Sequence, residues 1–234
     1  NGSGSSNTDG SINTTKTSAD VDSGFSISTY TGTGSAATIG HGLSKVPEMI
    51  IVKRRDGAAN WKVFHKTLTA TKNLNLDTTA AEATSSAFWN DTAPTASVFT
   101  IGTNGGVNED DGTYVAYCFH SVDGYSKVGS YEGNANADGT FVYTGFRPAM
   151  VIIKEADNAN DWHLIDNKRE AELGNPVQAW LRPNTSNAEA SSDNDIDLLS
   201  NGFKARTSNN RTNRAATLIY LAFAETPFKY SNAR

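Results

Sequence analysis

Residues 47–53 are Pro-Glu-Met-Ile-Ile-Val-Lys, and residues 148–154 are Pro-Ala-Met-Val-Ile-Ile-Lys. A tryptophan follows each lysine after eight positions, at Trp61 and Trp162, so the pattern recurs at one shift of 101 positions. An uninterrupted run of β-branched residues is typical of a strand that is buried on both faces. The repeat therefore predicts one unit of about 100 residues, present twice, with this strand at the centre of each copy.

Short strands are predicted around this stretch in both copies. In the first copy, segments 25–30 and 61–65 alternate apolar and polar residues, segment 113–119 is an apolar strand that closes the unit, and Gly-, Ser- and Asn-rich turns separate these segments. The second copy begins at Gly124, where Gly124-Tyr125-Ser126 matches Gly24-Phe25-Ser26. We predict an all-β protein with two tandem antiparallel β-sandwich domains that arose by internal duplication. One large sandwich with interleaved halves remains the alternative.

The predicted domains are residues 24–123 and residues 124–234. The preceding segment, residues 1–23, is composed almost entirely of Gly, Ser, Asn, Thr and Asp. Such a segment has little apolar surface to bury, so we predict a linker, or an arm that lies along a neighbouring subunit.

Composition limits the class of function. The chain has 234 residues, a net charge of −5 and one cysteine, Cys118. The acidic balance disfavours nucleic acid as a partner, because phosphate binding requires clustered Lys and Arg. No apolar run approaches the roughly 18 residues of a membrane span. A single cysteine excludes an intrachain disulfide.

The motifs resemble a known kind of repeat. The runs GFSISTYTGTG, IGHGL, MIIVKRRDGAANW, VFTIG and TYVAYCF are similar to a tandem module of marine bacteriophage tail-fibre and tail proteins. The similarity covers residues 7–234. It implies a virion appendage that is usually oligomeric and often trimeric, built from lectin-like or jelly-roll-like β-sandwiches, and it implies no catalytic residues. The second copy lacks Gly40-His41-Gly42 and the pair Arg54-Arg55, so a site built from them would occur once per chain.

Tryptophans are the first candidates for a binding site, because lectin-like modules stack aromatic rings against the apolar face of a sugar. Trp61 and Trp162 occupy equivalent positions in the two copies, and we expect both to be core residues. Trp89 and Trp180 are not equivalent and lie beside polar loops, which makes them better ligand candidates. Otherwise these two cover a sandwich edge or a subunit contact. The predicted ligand-binding residues are Trp89, Asn90, Asp91, Trp180, Arg182 and Asn184.

Other chemistry-bearing residues have simpler explanations. His41 lies between two glycines, and the four histidines show no metal-ligand spacing, so a turn residue is expected. The acidic stretches 108–112 and 193–197 lack the spacing of a calcium loop and are predicted to be solvated turns. Cys118 lies inside an apolar strand. We expect no catalytic residue, no metal site and no cofactor.

These observations predict a structural virion protein of a tail fibre or related appendage, located in the extracellular particle and not an enzyme. The expected partners are other copies of the chain in a homo-oligomer, other virion proteins and a host-surface glycan; the resemblance implies that such an oligomer is often a trimer. Nucleic acid binding and membrane insertion are not expected. The alternatives are a carbohydrate-binding module of a secreted or surface protein, an architectural fibre or decoration subunit, and a polysaccharide depolymerase.

Overall fold

The computed structural model describes residues 3–169 and 174–227, without the side chains of residues 192–194. It divides into two compact units. Unit 1 comprises residues 1–76 and 82–120, and unit 2 comprises residues 77–81 and 121–234. In the described ranges, no helix is long and apolar enough to span a membrane.

Unit 1 forms a seven-stranded sheet and a two-stranded sheet. The strand order is β1-β2-β9-β4-β5-β6-β7 in the larger sheet and β3-β8 in the smaller, and all of these strands pair antiparallel. The elements are β1 (Lys16–Asp20), β2 (Phe25–Thr31), β3 (Ala37–Gly40), β4 (Met49–Arg54), β5 (Lys62–His65), the 3₁₀ turn Lys66–Leu68, β6 (Lys72–Asn75), β7 (Ala83–Thr84), α1 (Ser86–Trp89), β8 (Val98–Ile101), α2 (Gly105–Asn108) and β9 (Thr113–Phe119).

The core of unit 1 lies between the two sheets. Strand β4 is central, with β9 on one side and β5 on the other, as the repeated stretch predicts. Ile50 and Val52 on β4 are fully buried. Ile39 of β3 and Phe99 of β8 face each other across the small sheet and join the same core cluster. Unit 1 is therefore a two-layer arrangement with one large and one small layer.

The N-terminal segment differs from its prediction as a linker or arm. Over the described residues 3–23 it is part of unit 1, because β1 pairs with β2 along its whole length. Ile12 packs against the core, and its backbone N donates to the carbonyl oxygen of Thr38 at 3.1 Å. Gly10 lies so close to β3 that a Cβ atom there would be 2.3 Å from the same oxygen. Backbone hydrogen bonds and the close approach of Gly10 to β3 hold this polar segment in place. Composition alone does not reveal such contacts.

Unit 2 forms one eight-stranded antiparallel sheet that is nearly closed. Its strand order is β10-β17-β12-β13-β14-β15-β16-β11. The strands are β10 (Ser126–Glu132), β11 (Phe141–Tyr143), β12 (Pro148–Glu155), β13 (Trp162–Asp166), β14 (Val177–Leu181), β15 (Ala190–Leu199), β16 (Gly202–Ala205) and β17 (Thr217–Ala224).

The all-β, antiparallel prediction is confirmed, and the strand orders of the two units correspond. The pair β11-β16 in unit 2 occupies the place of β3-β8 in unit 1, since Val142 pairs with Phe203 as Ile39 pairs with Phe99. The layers connect differently. Strand β15 has ten residues and pairs with both β14 and β16, which joins the layers into one sheet. In unit 1, the two-residue β7 is followed by α1, and the layers stay separate.

The repeated lysine holds the loop after the central strand in both units. The Lys53 ammonium donates to the carbonyl oxygen of Ala59. The Lys154 ammonium donates to the carbonyl oxygens of Glu155 at 2.5 Å and Asn158 at 3.2 Å. Burial lowers the pKa of Lys154 to about 8. The lysine therefore has a structural role in each copy.

A buried asparagine in each unit fixes the turn after the first strand of the repeat. The side-chain oxygen of Asn108 accepts from the backbone N of Thr33 at 2.8 Å, and that of Asn213 accepts from the backbone N of Asn134 at 3.0 Å. Each side-chain nitrogen donates to two backbone carbonyls. Both asparagines are fully buried. We call them the staple asparagines.

Candidate functional site

Trp89 does not present its ring to solvent. The side chain is 2% exposed and meets Phe64 edge-on, with ring centroids 5.9 Å apart. This corrects the prediction of a sugar-stacking platform, because α1 directs the ring into the core of unit 1. Asn90 and Asp91 are exposed, with φ values of 50° and 49°, in the turn that ends this helix.

Trp180 is also a core residue, 3% exposed, in unit 2. The guanidinium groups of Arg182 and Arg211 lie 4.3 Å and 4.9 Å from its ring, and the His163 ring lies 5.1 Å away. These neighbours leave no ring face for a ligand, so the platform prediction is wrong here too. Trp180 lies beside a polar loop in the sequence, which suggested a surface position. The arginine of that loop covers the ring, and the ring is therefore buried.

Arg182 and Asn184 do come together with Trp180, in an internal network around Asp161. The Arg182 guanidinium nitrogen lies 3.0 Å from one Asp161 carboxylate oxygen. Asn184 donates to the other oxygen at 2.7 Å and accepts from the backbone N of Trp162 at 2.9 Å. These contacts hold the loop after β14 against the start of β13. The residues of unit 2 that were predicted to bind a ligand therefore make contacts within the unit.

The two repeated tryptophans occupy different environments. Trp162 is 1% exposed, as predicted for a core residue. Trp61 is half-buried and stacks on Tyr117 with ring centroids 6.3 Å apart. The core prediction is therefore confirmed for Trp162 and is too strong for Trp61.

His41 is a fully buried turn residue, as predicted. Its Nδ1 accepts from the backbone N of Leu43 at 3.2 Å, so Nε2 carries the proton and faces the carbonyl oxygen of Thr95 at 3.2 Å. Burial lowers the pKa of His41 and keeps the ring neutral. Burial also raises the pKa of the Cys118 thiol to about 12, which suppresses the nucleophilic thiolate.

The acidic stretches form no metal cluster within the described residues. Asp195 is 1% exposed and lies 3.0 Å from the Arg211 guanidinium, so this carboxylate is neutralised by an internal ion pair. It belongs to the interior of unit 2 and not to the solvated turn predicted for residues 193–197.

Unit 1 carries an apolar pocket at the corner beside the turn that holds Asn90 and Asp91. Its volume is about 340 Å³. Phe64, which contacts Trp89, forms part of the lining, and Lys66 and Glu48 form a 2.8 Å ion pair beside it. The lining residues are Val46, Pro47, Glu48, Phe64, Lys66, Thr69, Ala70, Ala93 and Pro94. A concave apolar surface with a few polar groups is the usual form of a binding site.

Unit 2 carries a charged residue at the matching position. Arg147 precedes the repeated proline at the position where unit 1 has Val46, and it forms a 2.8 Å ion pair with Glu225. The cavity lined by Arg147 there has a volume of only about 40 Å³. Val46 itself is 48% exposed. We call the pocket of unit 1 the corner pocket.

Two aromatic residues that were not among the predicted site residues are exposed to solvent. In the described ranges, Phe141 and Tyr143 are the only aromatic residues exposed at the surface, at 45% and 65%. Both extend from β11 on either side of the buried Val142. We call them the aromatic pair. A comparison of the two copies identifies these residues, because unit 1 has Thr38 and Gly40 at the matching positions.

Comparison with known proteins identifies the family. The chain belongs to a family described as a domain of unknown function (DUF7483), which matches residues 1–227. No curated protein and no solved structure matches the chain.

Proposed function

We propose, for this member of a family of unknown function, that the chain is a structural subunit of a virion appendage of the tail-fibre type that contributes to attachment to a host-surface glycan. The proposal places it in the extracellular particle, in contact with other copies of itself and with other virion proteins. The similarity of residues 7–234 to phage tail modules and the tandem all-β architecture support it.

One observation carries the proposal: the two units share a framework and differ at matching surface corners. The staple asparagines and the loop-holding lysines have the same roles in both units. The corner has Val46 and an open pocket in unit 1, and Arg147 in an ion pair in unit 2. A rigid scaffold with variable exposed side chains is the usual architecture of a recognition protein.

Weak sites are sufficient for attachment when many copies act together. An apolar pocket of about 340 Å³ accommodates a small group and not a large partner. In an oligomeric appendage, simultaneous contacts raise the overall avidity by about 10²–10⁴-fold over a single contact. The corner pocket is the first site that we assign to this attachment.

The assembly part of the proposal is tested by sedimentation and labelling. Analytical ultracentrifugation of the purified chain at micromolar concentration should show one discrete oligomer. Antibodies raised against the chain should mark an appendage of the native particle in electron micrographs. A monomer in solution together with unlabelled appendages would contradict the proposal.

The attachment part is tested at the corner pocket. Val46→Arg introduces the residue that unit 2 has at the matching position, and it should reduce adsorption of the particle to its host. Val21→Arg is the matched control, because Val21 is 44% exposed and does not line the pocket. Equal adsorption by the two variants would remove the corner pocket from the attachment site.

A further inference from the structure

We propose that the aromatic pair of β11, Phe141 and Tyr143, binds a pyranose ring of a neutral polysaccharide. This ligand class rests on the surface-attachment part of the function proposed above. The site differs from the corner pocket in unit, in chemistry and in shape. The geometry of β11, its neighbours and the local charge support the assignment.

Strand geometry places both rings on one side of the sheet. Side chains two residues apart in a strand extend from the same face, about 7 Å apart. Val142, between them, is 5% exposed and points into the core, where it pairs across the sheet with Phe203. The buried valine anchors the strand, so the rings start from a fixed backbone. Two aromatic rings at this spacing form a platform that one or two sugar rings can cover.

The neighbouring strand leaves Tyr143 uncovered. The residue opposite it is Gly202, which has no side chain to shield the ring. A Cβ atom at Gly202 would lie 2.1 Å from the carbonyl oxygen of Val142, so a larger residue does not fit there. The apolar face of a pyranose, made of C–H groups, can therefore reach the phenol ring from above.

Unit 1 closes the equivalent surface. At the position of Tyr143 it has Gly40, and a Cβ atom there would lie 1.8 Å from the side-chain oxygen of Asn7. The N-terminal segment thus occupies in unit 1 the space into which Tyr143 projects in unit 2. The exposure of the aromatic pair is therefore a feature of the second copy and not of the fold.

The charges beside the pair favour a neutral ligand. Lys204 lies opposite Phe141 in the sheet, and its ammonium is 2.5 Å from a carboxylate oxygen of Asp138. The Asp138 side chain is 82% exposed. The ammonium lowers the pKa of this carboxyl, which stays ionised and accepts hydrogen bonds. The Lys204–Asp138 ion pair itself adds no net charge, while it supplies a donor and an acceptor for sugar hydroxyls.

The size of the patch favours a sugar over a second copy of the chain. Two rings at these exposures present on the order of 200 Å² of apolar surface. A stable contact between two protein chains buries about 800 Å² on each partner. The patch matches the apolar face of one or two pyranose rings.

The experiment is a titration of the full chain with four neutral hexasaccharides: cellohexaose, maltohexaose, mannohexaose and chitohexaose. Binding is measured by calorimetry and by saturation-transfer NMR. At least one should bind, and Tyr143→Ala should weaken that binding about tenfold, since stacking contributes about that factor. Tyr143→Phe keeps the ring and should stay within about threefold of the wild type.

Matched controls separate a lost contact from a lost fold. Ile27→Ala removes another partly exposed apolar side chain, 36% exposed, from a strand of unit 1 and should leave binding unchanged. Circular dichroism should show each variant folded, because the replaced side chains are exposed.

Three results would overturn the proposal, and the first two concern binding. One is the absence of binding to all four sugars, and the other is wild-type affinity in Tyr143→Ala. A change of sedimentation coefficient in Tyr143→Ala would assign the pair to a contact between copies and would overturn it as well. Failure here leaves the appendage labelling and the Val46→Arg adsorption test unaffected, so the two proposals fail separately.

Discussion

The strand orders of unit 1 and unit 2 correspond, but the units differ in the segment that follows β6 in unit 1 and β14 in unit 2. In unit 1 this segment contains β7 and α1, whereas in unit 2 it is the single long strand β15. The buried hydrogen bonds of the staple asparagines occur in both. The comparison indicates that a few buried polar contacts specify the framework, while the connecting segment can be helical or extended.

The buried tryptophans Trp89 and Trp180 also come from different elements in the two units. Trp89 enters the core from α1 and meets Phe64 on β5, whereas Trp180 enters from β14 and meets His163 on β13. Strands β5 and β13 are equivalent, yet the tryptophans come from different elements. Each unit therefore buries a tryptophan ring that a different element supplies.

The largest expected effect tests whether each tryptophan stabilises its own unit. Trp89→Ala and Trp180→Ala should each lower the free energy of unfolding by about 4 kcal/mol, because a large ring leaves a cavity. Hydrogen-exchange mass spectrometry should show the loss in the altered unit. Trp61→Ala, at a half-buried position, should cost less. Equal loss of protection in both units after either change would mean that the units do not unfold separately.

Next come the staple asparagines. Asn108→Ala and Asn213→Ala should each cost about 3 kcal/mol, because buried backbone groups lose their partners. Chemical denaturation of each variant measures the cost. Asn187→Ala, at an exposed loop position, is the control and should change stability by less than about 0.5 kcal/mol. A large cost in one unit only would refute the idea of a shared framework.

Acid should destabilise unit 2 through His163. Burial lowers the pKa of His163 to about 3, from 6.5 in the unfolded chain. As pH falls below 6.5, the unfolded state binds a proton that the folded state does not, so unit 2 should lose about 2 kcal/mol between pH 6.5 and pH 5. Unit 1 has Lys62 at this register, but burial also lowers the pKa of its own His41, so unit 1 should lose stability in the same direction. Hydrogen exchange measured at both pH values reports each unit separately.

His163→Phe is the control for this pH dependence. It should remove most of the acid sensitivity of unit 2, since Phe has no proton to bind. The same acid sensitivity in the variant would place the responsible group elsewhere.

The smallest effects concern β3 and β11. Gly40→Ala should cost about 1 kcal/mol and loosen residues 5–12, because the new methyl group displaces the Asn7 side chain. Tyr143→Ala, at the matching exposed position, should change stability by less than about 0.5 kcal/mol. Thermal unfolding and exchange of residues 5–12 measure these effects. A larger cost for Tyr143→Ala would mean that the ring packs within its own chain.

Sequence periodicity predicted the central strands, because Met49–Val52 and its copy lack any polar face. It also located the duplication and the alternating strands. It did not predict the ordered N-terminal segment, since Gly10 and Ile12 are held by backbone contacts with β3 that depend on the folded partner.

The candidate sites were harder to predict. Trp89 and Trp180 lie beside polar residues in sequence, but α1 and the covering arginines bury them. Local composition does not report which side of an element faces the core when the element has only four residues, as α1 does. The corner pocket and the aromatic pair emerge only when matching positions of the two copies are compared in three dimensions.

Strand β11 also has a use in protein engineering. Its backbone is fixed by Val142 and by the tight approach of Gly202, while positions 141 and 143 point away from the core. These two positions can be randomised together, with Val142 and Gly202 kept, to produce a library of variants on one unchanged backbone. Selection from such a library would give new specificities by exchanging two side chains, without any redesign of loops.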